Sequence, residues 1–360
     1  MQAAQIRALR LQHQGLSQPA QPTPEAALRH LVAAQAQDYP GALWSLGLRT
    51  AGATRATVEA AFNAGRILRT HVLRPTWHFV LPEDMRMLLR LTAGRVHTVN
   101  GSMYRQEGLD AETLVRAVDV MQRALEGGQS LTREELAAAL EQAGLAAKRF
   151  RLAYMVMYAE LEMAICSGPR RDKQFTYALF DERVPAEAHP LGREEELTRF
   201  AARYFAARGP ATVQDFANWS GLTLGEARRG LEDAKDGLAV DLVDGAEHWW
   251  SPGEAPAPPA RRGWLLPAYD EYISGYKDRS AAMLRGGEAG VFDNAFLHAL
   301  VADGVILGSW RRVLDEKRVR AHIRPVRPLN AQERQLLDTA AEDYAQFLGI
   351  PVEWGFSKED

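Results

Sequence analysis

The chain is 360 residues long, 46% apolar and 25% charged, proportions that exclude a disordered or fibrous protein and leave room for about two to four domains. Its one cysteine, Cys166, excludes an intramolecular disulfide and a thiolate metal cluster, and neither the apolar runs nor the N-terminal MQAAQIRALRLQHQG supplies a membrane span or a signal-peptide core, so a cytoplasmic protein is expected. The formal net charge of −3 hides a split: residues 1–110 carry twelve Arg, no Lys and seven Asp or Glu, a net +5, and the rest carries −8.

Thr23-Pro24-Glu25 opens a helix, with Thr23 as N-cap and Pro24 at the first helical position. TPEAALRHLVAAQ places Ala27, Leu28, Leu31, Val32 and Gln35 on one side at helical spacing, so this helix is expected to reach Gln35. Thr54 to Asn63 reads as a second helix, closed by Gly65. From Ile67 to Val80 the period changes. Two β-rich arms around Leu73-Arg74-Pro75-Thr76 predict a strand, a turn and a strand. Pro82-Glu83-Asp84 starts another helix, through about Arg90. Helices followed by a β-hairpin are the pattern of a winged helix-turn-helix.

The pattern recurs. Ser130 or Thr132 can cap a helix ended by Gly144, Phe150 to Met163 is a long helix, and Ile165 to Leu179 reads as a wing. A third unit begins at Gly209-Pro210, with a helix over Thr223 to Leu231 and a wing over Leu238 to Trp250 that turns at Asp244-Gly245. GQSLTREELA and GPATVQDFA align as a weak internal repeat. The Pro/Ala-rich stretch 253–262 is a linker. Beyond it, Gly263 to Leu266, Gly290 to Phe292, Val305 to Trp310 and Ala321 to Pro325 predict short strands, and Ala331 to Leu348 a closing helix. The expected fold is α+β, mainly α: three tandem winged helix-turn-helix domains over 1–110, 111–190 and 191–252, then a small β-rich, barrel-like domain over 253–360.

No P-loop, HExxH, nucleophile-elbow or dinucleotide-binding motif occurs. Cys166 reads as a small buried hydrophobe. The unusual stretch is Gln35-Ala36-Gln37-Asp38-Tyr39. Amides are poor bases, but two of them can hold a water through a carbonyl oxygen and donate NH₂ to a sugar or ring oxygen. The other reading is a polar cap at a helix end, with Asp38 a base or a turn residue. On the hairpin, Arg69, His71, Arg74, Thr76, Trp77 and His78 suit a phosphate-tracking, base-stacking wing, or else a solvated hairpin with a core-facing Trp77. The segment Leu266 to Arg279, with Asp270, Tyr276, Lys277 and Arg279, is either a nucleic-acid-facing, site-closing loop or a salt-bridged turn.

LVAAQAQD, the Arg-Thr and Pro-Thr-Trp-His elements, LLPAYDEYISGYKDR and Gly308-Ser309-Trp310-Arg311 together resemble the winged-helix family of AlkZ-type DNA glycosylases, in order and over nearly the whole chain. The resemblance implies three winged helices and a barrel-like domain, as read above. It implies a catalytic Gln-x-Gln or Gln-x-Asp motif with an apolar middle residue, and Gln35-Ala36-Gln37 has the first form. Ala36 is smaller than the usual middle residue, and the turn carries Leu73-Arg74-Pro75-Thr76 where relatives often have a glycine.

The activity so implied is that of a monomeric, monofunctional DNA glycosylase without metal or cofactor. Its substrate would be double-stranded DNA carrying bulky N-alkylated purines, interstrand crosslinks included. A purine alkylated at N7 or N3 is cationic and leaves readily. The enzyme then has only to stabilise an oxocarbenium-like sugar and place a water. Asp38, Tyr39 or the residues around Asp270 would assist. The alternative is a non-catalytic winged-helix DNA-binding protein or transcriptional regulator, which has no need of two amides in its first unit. A structural protein with no nucleic-acid role would leave the arginine-rich third unexplained.

Overall fold

Thr23 and Pro24 start a helix as the sequence dictates: the Thr23 hydroxyl accepts the Ala26 N–H at 3.1 Å. In the computed structural model, which describes residues 1–17, 21–253, 261–284, 297–314 and 317–357, that helix stops at Leu31. It does not run to Gln35. Val32 takes a left-handed φ of 70° and turns the chain into a strand, whose backbone groups pair with the hairpin instead of with a further helical turn. The first unit therefore reads α1 (Ala3–His13), α2 (Pro24–Leu31), β1 (Ala33–Gln35), α3 (Tyr39–Gly47), α4 (Arg55–Asn63), β2 (Leu68–His71) and β3 (Trp77–Val80). Strand β3 lies between the other two, with Gln35 opposite His78 and Thr70 opposite His78 on its other side. The next helix, α5 (Pro82–Gln106), is far longer than its opening suggests, because Met85, Leu88, Leu89, Thr92 and Val96 keep one face buried past Arg90.

The same order returns twice. One copy is α6 (Ala111–Leu125), β4 (Leu131–Thr132), α7 (Arg133–Gln142), α8 (Arg149–Leu161), β5 (Ile165–Ser167) and β6 (Thr176–Leu179), followed by the short α9 (Phe180–Arg183). The other is α10 (Arg193–Arg208), a single bridging residue Ala211, α11 (Val213–Ser220), α12 (Leu224–Ala234), β7 (Ala239–Val243) and β8 (Ala246–Trp250). In each sheet the last strand sits in the middle: β1-β3-β2, β4-β6-β5, and Ala211-β8-β7. The weak repeat has a physical origin one residue out of the letter alignment, which set Thr132 against Val213. Thr132 and Thr212 are N-caps of α7 and α11, each closing a capping box with Glu135 or Asp215.

The rest is β9 (Gly263–Leu266), α13 (Glu271–Ser274), β10 (His298–Ala302), β11 (Val305–Leu314), β12 (Val319–Pro325), α14 (Ala331–Leu348) and β13 (Val352–Phe356). The strands form one sheet in the order β13-β12-β11-β10-β9, antiparallel except for β12 with β13. Helix α14 packs against both edge strands, β9 and β13. The molecule is thus α+β. The strand expected over Gly290 to Phe292 and most of the linker lie outside the described residues.

Three cores hold these parts. Trp44 of α3 and Phe62 of α4 share one with Trp264, Leu300, Tyr344 and Phe347, so the first unit and the C-terminal sheet are packed as one body. Leu68, Val80 and Leu88 share a second with Phe200, Phe216 and Trp219 of the third unit. The middle unit has its own core, with Leu114, Met121, Leu136, Met155 and Ile165. Among the described residues no helix is long and apolar enough to cross a membrane.

Candidate active site

The segment Gln35-Ala36-Gln37 is extended and fixed from three directions. The Gln35 N–H donates to Glu271 Oε1 at 2.8 Å. The Ala36 N–H donates to the Trp77 carbonyl at 2.7 Å, and the Ala36 carbonyl accepts from Arg69 Nε at 3.0 Å. Extended backbone alternates its side chains. Ala36 is therefore buried while Gln35, 8% exposed, and the exposed Gln37 both reach one cleft. The cleft measures about 290 Å³ and is otherwise lined by Arg74, Thr76, Asn218, Tyr269, Ser274 and Arg279.

The two amides are held differently. Arg74 bridges Gln35 Oε1 at 3.2 Å and the Asn218 carbonyl at 3.1 Å. Among the described residues Gln37 Oε1 accepts only the Trp77 N–H, at a long 3.4 Å, so its carbonyl is the more available one. Fixing Gln35 by its oxygen leaves its NH₂ donors for the cleft. Among the described residues no Asp or Glu lines the cleft. Asp38 is outside the lining, and its carboxylate meets Arg312 at 3.3 Å.

Of the hairpin residues, Arg74 and Thr76 belong to the cleft, Arg69, His71 and His78 are buried, and Trp77 is half-buried. The Arg69 guanidinium lies 4.3 Å from the Trp77 ring and 4.6 Å from the Phe175 ring, and burial lowers its pKa to about 10. His71 Nδ1 is 2.5 Å from the buried Glu160 carboxylate, and the His71 ring stacks on Trp77. His78 is fully buried, with Nδ1 at 3.0 Å from the Thr76 carbonyl, and burial holds its pKa well below the usual value. The expected row of phosphate contacts at Arg69, His71 and His78 is therefore not presented to solvent: those side chains tie the hairpin to the interior. The tip is docked as well. Gly221, at φ 74°, lies so close to the Leu73 carbonyl that a Cβ would overlap it.

Tyr39 is a core residue, packed edge-on against Phe62, Phe79 and Phe175, and burial pushes its pKa up to about 12. Burial likewise pushes the Cys166 thiol up to about 12.

The segment after β9 is mostly interior rather than a loop facing a ligand. Asp270, 1% exposed, receives both arms of Arg49 at 2.8 and 2.9 Å and the Ser45 hydroxyl at 2.6 Å. Burial alone would raise its pKa, but Arg49 overrides this and holds it below the usual range. Tyr276 is buried too. Its hydroxyl donates to the Arg208 carbonyl at 2.7 Å and accepts from Gln14 Nε2 at 2.9 Å. These partners leave neither Asp270 nor Tyr276 available to a substrate. The Lys277 side chain is exposed, outside the lining, and Arg279 reaches the cleft.

Sequence reasoning missed Glu271, whose second oxygen accepts from Arg208 at 2.6 Å and from Trp219 Nε1 at 2.8 Å while the first holds Gln35. It also missed Asn218, and it reached Tyr269 and Ser274 only as members of the segment Leu266 to Arg279. An Asp-Glu pair between apolar residues, in a chain rich in arginine, is the signal that could have found Glu271.

A profile of the DNA glycosylase AlkZ-like family matches residues 28–347, from within α2 to near the end of α14. The chain belongs to the AlkZ-like DNA glycosylases. It is similar to an interstrand DNA cross-link repair glycosylase of Streptomyces sahachiroi, 26% identical over 337 residues, with 87% of this chain and 88% of the relative covered. Among solved structures it is similar to the Streptomyces sahachiroi DNA glycosylase AlkZ, with a TM-score of 0.79 and 22% identity over 98% of this chain and 99% of that one. The two share a fold. As a member of this family the protein is an enzyme that hydrolyses N-glycosyl bonds in DNA, and the matched span contains both glutamines and the hairpin.

Proposed function

We propose that this glycosylase excises purines made cationic by N-alkylation, interstrand cross-links among them, with Gln35 and Gln37 as its catalytic residues. The observation that carries the reading is the cleft lining: three amides, Gln35 and Gln37 with Asn218, and two guanidiniums, with no Asp or Glu among the described residues. Amides neither give nor take protons at neutral pH, so such a site suits a leaving group that needs no acid. As the glycosidic bond breaks, its electron pair leaves with the purine and cancels the purine's positive charge. A water oxygen bonds to C1′ and loses its proton to solvent, leaving a neutral alkylpurine and an abasic deoxyribose. Gln37, with its loosely held carbonyl, orients the water, and Gln35 donates its NH₂ to the sugar.

Three repeats of helix, strand, helix, helix, strand, strand support reading residues 1–110, 111–190 and 191–252 as winged helix-turn-helix units, with a barrel-like domain over 253–360. In the second unit Lys148, Arg149 and Phe150 (65% exposed) stand at the start of α8, where a recognition helix meets bases. The named activity of the Streptomyces relative supports cross-links as substrates. A cross-linked base cannot be swung freely out of the duplex, and an open cleft is consistent with that. We read the enzyme as a cytoplasmic monomer.

The test is a duplex carrying N7-methylguanine, and a second carrying a nitrogen-mustard cross-link, with free base and alkali-labile sites measured. Wild type should release the base, and Gln35→Ala and Gln37→Ala should each slow release on the order of 10²–10³-fold. No release from either duplex would overturn the substrate class. Wild-type rates in the double variant would overturn the site.

A further inference from the structure

The C-terminal sheet turns one face inward and the other to solvent. Along β12, Val319, Ala321 and Ile323 are buried while Arg320 and Arg324 are exposed. On the outer face the cross-strand register sets Arg311 of β11 opposite His322, with Arg320 and Arg324 two residues to either side of it. Among the described residues none of the three arginine side chains has a hydrogen bond or an ion pair. The one carboxylate in register with them, Glu353 opposite Arg320, is taken by Arg318 at 3.2 Å.

Folding gives no reason for this cluster. Like charges on neighbouring strands destabilise a sheet, and the chain beyond residue 110 is net acidic. Arg312, next in β11 after Arg311, points to the other side and meets Asp38, the residue that follows Gln37.

We propose that the outer face formed by Arg311, Arg320 and Arg324 docks the phosphate backbone of the duplex flanking the lesion. The charge complementarity is that of three unpaired guanidiniums with a polyanion, and the inference rests on the glycosylase reading only for the polyanion's identity. Arg320 and Arg324 are about 13 Å apart along an extended strand, close to the ~12 Å width of the major groove, so the phosphate rows on both sides of one groove are within reach. The contact carries no base specificity. It fixes the register of the duplex on the enzyme.

The experiment is the salt dependence of binding to an undamaged duplex, by fluorescence anisotropy, for the full chain and for Arg311→Ser/Arg320→Ser/Arg324→Ser. The slope of log K against log salt should fall by roughly two to three, about 0.9 for each phosphate left without its arginine. The triple lysine variant should keep the wild-type slope. The thermal midpoint should stay at the wild-type value, because all three side chains are exposed. An unchanged slope would overturn the proposal, and so would weaker binding with an unchanged slope. Binding to undamaged DNA needs no excision. Failure of wild type to release alkylpurines would therefore count against the proposed activity and leave the slope result to judge the surface.

Discussion

Arg74 decides which end of Gln35 meets the cleft. Its guanidinium forks between Gln35 Oε1 and the Asn218 carbonyl, a geometry that a lysine ammonium cannot reproduce at both acceptors. Arg74→Lys should therefore lower the single-turnover rate by roughly tenfold to a hundredfold, the scale on which small misplacements of a catalytic group act, while changing duplex affinity much less. Equal losses in rate and affinity would make Arg74 a plain DNA contact. Histidines set the acid limit of the fold. His298 accepts the Ala268 N–H at Nδ1, and burial, followed by the nearby Arg312, holds its pKa down to about 4 against 6.5 for an unperturbed histidine. The unfolded chain thus takes up a proton on acidification that the folded chain refuses. This contribution is intact above pH 6.5 and is lost as pH falls toward 4. Urea unfolding at pH 7 and pH 4 should show wild type losing about 2–3 kcal/mol more than His298→Asn over that interval. His13, His30 and His78 are lowered by burial in the same direction, so part of the acid sensitivity should survive the substitution.

The hairpin β2–β3 works as an anchored element. Gly221 at the C-terminus of α11 receives its tip, and it needs both its left-handed φ and its missing side chain. Gly221→Ala should cost about 2–4 kcal/mol, from backbone strain and overlap together, and should also slow excision, because Arg74 rides on that tip. A urea midpoint and a rate measured on the same preparation check both. The hairpin itself was legible in the sequence, and so were the capping threonines and the repeat they create. Strand β1 was not. Leu31, Ala33, Ala34 and Gln35 are good helix formers that, with Val32, continue the helical period, no glycine marks the break at Val32, and pairing with β3 overrides the local preference. Strand β10 was not marked either, since His298–Ala302 has neither alternation nor β-branched residues beyond Val301 to set it apart. The glutamines stood out as polar residues in an apolar run. The inward turn of Arg69, His71 and His78 was not readable, because a basic hairpin looks the same in sequence whether its cations face phosphates or Trp77 and Glu160.

The whole molecule is tied by buried ion pairs that cross its parts. Arg49 of the first unit holds Asp270, and Arg208 of the third holds Glu271, all four side chains almost fully enclosed. Removing one partner leaves an uncompensated charge, so Asp270→Ala should destabilise by about 3–5 kcal/mol, and Arg49→Met/Asp270→Leu by much less. Equal losses would show that the pair itself, and not the stranded charge, sets the cost. The same pairs explain why the arginine-rich third is only partly a surface field: Arg10, Arg49 and Arg69 are interior. The core that the first unit shares with the C-terminal sheet has a consequence during synthesis. The middle unit can complete its own core as it leaves the ribosome. The glutamine-bearing unit must wait for β9 and everything after it, roughly 14–55 s of translation beyond β3. The site is therefore assembled last, and a chain released early holds its glutamines without the Glu271 that fixes them.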